Sequence, residues 1–293
     1  TLEDSYRAFR VVEESLADLN RRIGSNGTSS ADNPEALARM WEERRSLYQH
    51  LATSADSFWL AERENRTIGL SRSIERDGLR ILTELFVLPA EQSAGIGKGL
   101  LTRAFPNTNG DHRIIISSPD LRAQALYRGA GLIPRFSLHY LWREPEAVAV
   151  DTDLVTVPIE TSTEHLEILG TLDKALLGHR READHSWLLT DRQGYIYFRD
   201  DQPVGYGYIG QRSGPFALLD SGDYPAVLAQ AENSAASRGS QHFGLEVPDI
   251  NRAALNYLTT RGYKKDELVA TLMSNVPVGK FENYLVTSPP FIL

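Results

Sequence analysis

Glu84-Leu-Phe-Val-Leu-Pro-Ala-Glu-Gln-Ser-Ala-Gly-Ile-Gly-Lys-Gly-Leu-Leu-Thr-Arg-Ala104 decides how this chain is read. An apolar strand stops at Pro89, a glycine-punctuated turn follows, and an amphipathic helix begins near Gly97. That order predicts a set of free backbone N–H groups at a helix N-terminus, where the helix dipole favours phosphate. Two common phosphate loops do not match. A Walker A loop needs Ser or Thr after its Gly-Lys, and here Gly99 follows Lys98. The dinucleotide fingerprint needs a glycine at position 100, which is Leu.

Gln92-x-x-Gly95-x-Gly97, directly after Val87-x-Pro89, does match another pattern. It resembles the acyl-CoA loop of the GNAT superfamily, the GCN-five-related N-acetyltransferases. The resemblance implies that Gln92, Ser93, Ala94, Gly95, Ile96, Gly97 and Lys98 hold the pyrophosphate of acetyl-CoA. It also implies that Phe86, Val87 and Leu88 act through their backbone groups on the pantetheine arm, provided a bulge splays this strand from the next. Glycine lets the backbone approach a phosphate closely. Lys98 either adds charge at the helix start or is a solvated surface lysine.

Composition bounds the function. With 41% hydrophobic and 24% charged residues the chain is an ordinary globular one, long enough for two domains. No apolar run approaches the roughly 18 residues of a spanning helix, so no membrane partner is expected. Zero cysteines exclude disulfides, thiol nucleophiles and thiolate metal sites, and agree with a cytoplasmic setting. A net charge of −8 argues against nucleic acid, which wants a basic face, and tilts slightly toward a cationic amine acceptor.

Along the chain, a helix is expected from Ser5 to Ile23 and another after Pro34. A hairpin follows over Phe58–Glu62 and Thr67–Ile74, then the strand Leu79–Leu88, the loop and its helix. Arg113–Ser118, Leu121–Arg128 and Leu138–Trp142 read as strand, helix and strand. This is the GNAT order without its first strand, which would precede Thr1. Residues 144–153 read as a linker, and the pattern then repeats. Gly131 and Gly262 lie 131 positions apart; at that offset Asp120 meets Asn251, Ala123 meets Ala254, and Thr83–Pro89 meets Gly214–Asp220. The expected fold is α/β with mixed sheets (α+β), in two tandem GNAT-like domains, 1–145 and 152–293, the first catalytic and the second degenerate.

Acetyl transfer to an amine needs an anchored donor, a neutral amine and a proton for the departing thiolate. Tyr127 lies in Asp120-Leu-Arg-Ala123-Gln-Ala-Leu-Tyr127-Arg-Gly-Ala-Gly131-Leu132. That string is similar to the GNAT signature Asn-x-x-Ala-x-x-x-Tyr-x-x-x-Gly-Phe. The resemblance makes Tyr127 a cofactor contact and the acid that protonates the thiolate; the plain alternative is a helix residue with its hydroxyl at the surface. Asp120 stands where Asn is usual and Leu132 where Phe is usual, which puts Asp120 in doubt as a ligand. Glu84, a charge inside an apolar strand, is the candidate general base, or else an edge residue or the partner of an arginine such as Arg80. His50 and His139 are alternatives for the base. No metal is expected.

The second copy lacks this machinery. Its loop reads Leu219-Asp-Ser-Gly-Asp-Tyr-Pro-Ala226; Pro225 removes a donor, Asp220 and Asp223 place anions at the helix start, and Leu258 replaces the tyrosine. Such a domain serves structure, dimerisation or the shape of the acceptor pocket. Tyr195, Tyr197, Phe198, Tyr206 and Tyr208 mostly alternate and read as core packing. The apolar tail to Leu293 is expected to dock, or to bring its carboxylate to the active site. The resulting expectation is an acetyl-CoA-dependent N-acetyltransferase of a small-molecule or peptide amine. The rivals are a non-catalytic acyl-CoA sensor or assembly module, and an acyltransferase of a hydroxyl or a protein terminus.

Overall fold

Local capping chemistry sets the first two helices. α1 (Leu2–Ile23) opens on a reciprocal capping box between Thr1 and Asp4 and ends at Gly24, whose φ of 72° suits a left-handed cap. α2 (Pro34–Ser54) begins with Pro at its first turn, and the Asn33 side chain accepts from Glu35 and Ala36 N–H. Phe9 of α1 meets Tyr48 of α2 edge-on at 5.6 Å, and Ala8, Phe9, Val12, Tyr48 and Leu51 are sealed from solvent. A computed structural model describes residues 1–24, 33–106 and 112–292.

By contacts the chain divides into two units: Thr1–Ile133 with Met273–Val276, and Pro134–Leu272 with Pro277–Leu293. In the first, β1 (Ser57–Arg63), β2 (Arg66–Arg76) and β3 (Leu79–Val87) form an antiparallel meander. Its two-residue turns carry positive φ at Glu64–Asn65 and at Asp77–Gly78, the backbone that matches strand twist in tight hairpins. β3 then pairs in parallel with β4 (His112–Ser117). α3 (Ile96–Ala104) connects them, and α4 (Leu121–Gly129) follows β4. A core of Leu82, Leu101, Phe105, Ile115, Tyr127, Leu132 and Met273 joins α3 and α4 to one face of the sheet.

The second unit holds β5 (Ile133–Arg143, from Pro134 on), β6 (Val155–Pro158), α5 (Thr163–Leu176) and α6 (Glu182–Asp191). β7 (Gln193–Arg199), β8 (Gln202–Ile209), β9 (Phe216–Leu218), α7 (Tyr224–Ser237), β10 (Phe243–Pro248) and α8 (Arg252–Thr260) follow. β11 (Lys264–Ser274, in this unit to Leu272) and β12 (Tyr284–Leu285) complete it. One sheet runs β12-β9-β8-β7-β6, and β11-β5-β10 are neighbours in another. β5 pairs with β10 from Phe243↔Arg143 to Pro248↔Leu138. The boundary therefore falls at Ile133/Pro134 and not at 145, because β5 finds its partner about a hundred residues on, in the other unit. Met273–Val276 return to the first unit, where the Asn275 side chain accepts from Arg113 N–H at 2.8 Å.

Beneath β8 lies a buried polar network. Asp173 accepts from Arg181 Nε at 2.8 Å and lies 2.7 Å from His185 Nε2, whose other ring nitrogen is 2.8 Å from the Tyr208 hydroxyl. Tyr206 donates to Asp173 and accepts from Arg181. Burial pushes the Asp173 carboxyl up, but Arg181 and His185 pull it below the usual carboxylate range. Tyr206 and Tyr208 are thus core residues as expected, and polar ones as well.

Candidate functional site

The site grows from a fault in β3. Arg72 pairs with Glu84 but its neighbour Ser73 pairs with Leu82, so Thr83 is an extra residue, a bulge. On the other side β3 stays in register with β4 only from Leu79↔His112 to Leu82↔Ile115. Beyond Leu82 the two parallel strands part, and among the described residues the next five of β3 have no strand partner on that side. Leu88 N–H goes to Ile68 O at 2.9 Å. By ladder alternation Phe86 also faces β2, whereas Leu85 and Val87 turn their N–H and C=O toward the opening. Val87 O accepts from Gln92 Nε2 at 2.9 Å and from Ser15 Oγ at 3.3 Å. What remains along the opening is Leu85 N–H and C=O and Val87 N–H. Of the three backbones named from sequence, those of Phe86 and Leu88 are committed to β2; Leu85, not singled out, takes their place.

At the end of this strand the chain makes a 3-10 turn, Pro89–Glu91, and enters α3 through Ser93 (φ 68°) and Gly95 (φ 82°). Gly95 is the N-cap and brings no side-chain acceptor. The first N–H that the helix itself satisfies is that of Gly99, on Gly95 O at 3.0 Å. The N–H groups of Ile96, Gly97 and Lys98 therefore precede the hydrogen-bonded ladder, the arrangement that binds anions. Gln92 ties the loop to the strand, Ser93 and Ala94 are exposed, and the Lys98 side chain is exposed as well. Gly69 lets α3 sit close on the sheet, since an added Cβ there would lie 3.1 Å from Leu100 Cδ1 and from Phe86 O.

Tyr127 is buried at 3% exposure, packed in the core that contains Leu82 and Ile115, the last paired residues before the strands part. Its hydroxyl has no hydrogen-bond partner among the described residues. Burial, then the charge of Asp120, pushes its pKa up, so the phenol is protonated at neutral pH and able to donate. Asp120 caps α4 by accepting from Arg122 N–H at 2.9 Å. Its carboxylate is ion-paired to Arg122 at 2.8 Å and to Arg22 at 3.0 Å, and these hydrogen bonds hold its pKa far below the usual range. Asp120 is thus spoken for by two arginines.

Glu84 lies on the opposite face, under α1 and α2, and is not brought together with Tyr127. Glu84 Oε2 is 3.1 Å from Arg72 Nε, and neither side chain has any exposure. The Arg72 guanidinium sits 4.1 Å over the Phe58 ring and near Tyr48. Burial raises the Glu84 pKa and Arg72 lowers it, with a net rise. The arginine named from sequence, Arg80, is instead paired with Asp56 and Glu75. Of the other candidate bases, His50 is buried in α2, 3.4 Å from Ser54 Oγ. His139, on β5, has its pKa lowered by burial and by Lys265, which is 3.3 Å away.

In the second unit Asp220 accepts from Gly222 N–H at 2.8 Å, and Asp223, the N-cap of α7, pairs with Arg199 at 2.8 Å. Leu258 is a core residue, with Tyr257 packed beside it. Among the described residues no cluster of His, Asp and Glu suits a metal, and no helix is long and apolar enough to cross a membrane.

Residues 27–134 match the family model for the acetyltransferase (GNAT) domain. No curated protein sequence matches the chain. Among solved structures, a candidate acetyltransferase from Pyrococcus horikoshii superposes with a TM-score of 0.70 at 13% identity, over 97% of this chain and 90% of that one. A GCN5-related N-acetyltransferase from Sphaerobacter thermophilus gives 0.59 at 14% identity, over 94% and 93%. A tandem GNAT protein from the clavulanic acid biosynthesis pathway gives 0.58 at 13% identity, over 94% and 96%. At these identities the likeness is one of fold.

Proposed function

We propose that the first unit, which carries the match to the acetyltransferase (GNAT) domain model within a tandem GNAT fold, is an acetyl-CoA-dependent N-acetyltransferase acting on a primary amine of a small molecule or peptide. The observation that carries this reading is the fork after Leu82. It sets an open strand edge, an uncapped helix N-terminus and a buried phenol around one opening.

The chain's residues divide the work. Backbone N–H groups from Ser93 to Lys98 cradle the phosphates, which a bulky side chain at Gly95 would obstruct. Leu85 and Val87 offer main-chain groups to the extended arm, as a strand offers its edge to another strand. Acetyl-CoA, when bound, supplies an acetyl group activated as a thioester. The acceptor nitrogen forms a bond to the acetyl carbon as the carbon–sulfur bond breaks. The nitrogen gives up its proton to solvent water, and Tyr127 Oη delivers one to sulfur and is reprotonated from solvent. Glu84 belongs to the core in this reading, since its carboxylate is sealed against Arg72.

A panel of amine, hydroxyl and peptide acceptors, read by release of free CoA thiol, tests the proposal. Amine-dependent release with an acetylated amine product supports it. Binding of acetyl-CoA with no product from any acceptor would point to a sensor or assembly module, and release only with hydroxyl or peptide-terminus acceptors to another transferase.

A further inference from the structure

The two units follow one plan up to the point where the first one opens. Gly69 stands opposite Val87, and Gly205 stands opposite Leu218. Each glycine is in a crowded place, where an added Cβ would meet a neighbour at 3.1 Å and 2.5 Å respectively. β9 is therefore the counterpart of Leu85–Val87, and β10 the counterpart of β4. In the first unit the far side of Leu85–Val87 is the opening. In the second unit the same side is filled by the chain's own C-terminal segment. Tyr284 and Leu285 pair with Ala217 and Phe216, and the next residue, Val286, donates its N–H to Glu246 O of β10 at 3.2 Å. The segment lies between the two strands and touches both.

The groove is built to hold it. At Gly214 φ is 92°, and an added Cβ would lie 2.6 Å from Val286 O, so only glycine admits the tail this closely. Arg192, buried, donates to Thr287 Oγ1 at 2.8 Å and to Ser288 O at 2.8 Å. Asn283 Nδ2 caps the strand end by donating to Leu218 O at 2.7 Å. Leu285 is fully buried and packs in the core beneath α7.

We propose that Tyr284–Ser288 is a strand supplied in cis that occupies, in the second unit, the place the first unit keeps for the acyl-CoA arm. That cleft is thereby a peptide-strand groove, and each chain binds one acyl-CoA. The statement about stoichiometry rests on the reading of the first unit given above. An extended arm bearing amides and an extended peptide ask the same of a splayed strand pair, namely donors and acceptors along both edges. A peptide also brings side chains such as Leu285 that fill the core.

Hydrogen exchange and titration calorimetry on the full chain test this. Without ligand, the amides of Tyr284–Ser288 are expected to exchange at least about 100-fold more slowly than in an unstructured peptide. Saturating acetyl-CoA should slow Leu85–Val87 and leave the tail unmoved, with one equivalent bound. Arg192→Ala should speed tail exchange by about tenfold or more. Asn283→Ala, a milder change, should do the same to a lesser degree should the first variant fold poorly. Unstructured-peptide rates in the native tail would overturn the proposal. So would a second equivalent of acetyl-CoA bound as the tail is released. If no acetyl-CoA binds at all, the reading of the first unit falls. The ligand-free protection of the tail, and its loss in the variants, still decide the strand.

Discussion

Glu84→Gln separates a buried structural carboxylate from a catalytic base. The substitution keeps the side-chain volume and removes the charge facing Arg72, and neither residue of that pair has any exposure. A guanidinium cannot shed its proton to escape the core, so Arg72 is left as an uncompensated buried cation. Breaking a buried pair from one side costs about 3–5 kcal/mol, a large share of the 5–15 kcal/mol that holds a typical domain together. That corresponds to a fall in melting temperature on the order of 10–15 °C.

The reverse variant, Arg72→Met, should cost less. Burial already pushes the Glu84 carboxyl upward, and a carboxylate that loses its partner can take up a proton. The double variant should recover about 2 kcal/mol or more of the summed losses, since paired buried charges are strongly coupled. Guanidinium unfolding gives the energies, and hydrogen exchange of the β2 and β3 amides reports on the first unit alone. At low temperature the folded fraction of Glu84→Gln should retain kcat within about threefold, a loss of under 1 kcal/mol in barrier. A Glu84→Gln protein with native stability and exchange, but kcat reduced a hundredfold, would refute this account and restore Glu84 as the base.

Tyr127→Phe should lower kcat by about 100-fold, within the usual range for a lost general acid, and leave acetyl-CoA affinity within about twofold; steady-state kinetics with calorimetry reads both. Gly95→Val forces a β-branched residue to φ 82°, at a cost of about 1–3 kcal/mol, and should abolish acetyl-CoA binding measured by calorimetry while far-ultraviolet circular dichroism stays native. Glu246 has its pKa raised to about 8, by burial first and by Asp266, against the pull of Arg212. A carboxyl raised in the fold stabilises it below the unfolded value and loses that contribution as pH rises through the folded value. The second unit should therefore lose stability between about pH 4.5 and 8, and Glu246→Gln should flatten that slope in melting temperature against pH.

Local chemistry was legible and long-range pairing was not. The extents of α1 and α2, the loop before α3, and the strands on either side of it depend on neighbours a few positions away. Their ends fall within a few residues of expectation. The bulge at Thr83 depends on β2 and carries no local mark. Its effect on the site is large. Leu82 faces α3 and α4, and an unbroken alternation would put Glu84 on that face beside Tyr127. The extra residue sends Glu84 to the α1/α2 face and turns Leu85 toward the opening. That one-residue change of parity sets Glu84, the candidate base in sequence, apart from the face that carries Tyr127. β5 reads in sequence as part of the first domain and by contacts falls in the second unit from Pro134 on, since no signal within it names β10 as its partner. The network of Asp173, Arg181 and His185 is scattered over separate elements, and only its ionisable residues amid apolar helix faces hinted at it.

Duplication explains why the two clefts could diverge without either unit losing its fold. A strand pair that splays leaves backbone groups that must find partners, or the core beside them is undercut by buried, unsatisfied amides. Two solutions exist: a ligand that comes and goes, with water in between, or a permanent strand. In the proposed reading the first unit keeps the ligand's side of this choice, with Gly95 as the N-cap of α3 and no side-chain acceptor there. In the second, Asp223 and Pro225 sit at the start of α7, so a phosphate-bearing ligand has lost its anchor, and the empty edge of β9 would be a liability. The C-terminal strand removes that liability. Glycine at 214, where the first unit has Thr83, is the concession in the sheet that lets the strand in.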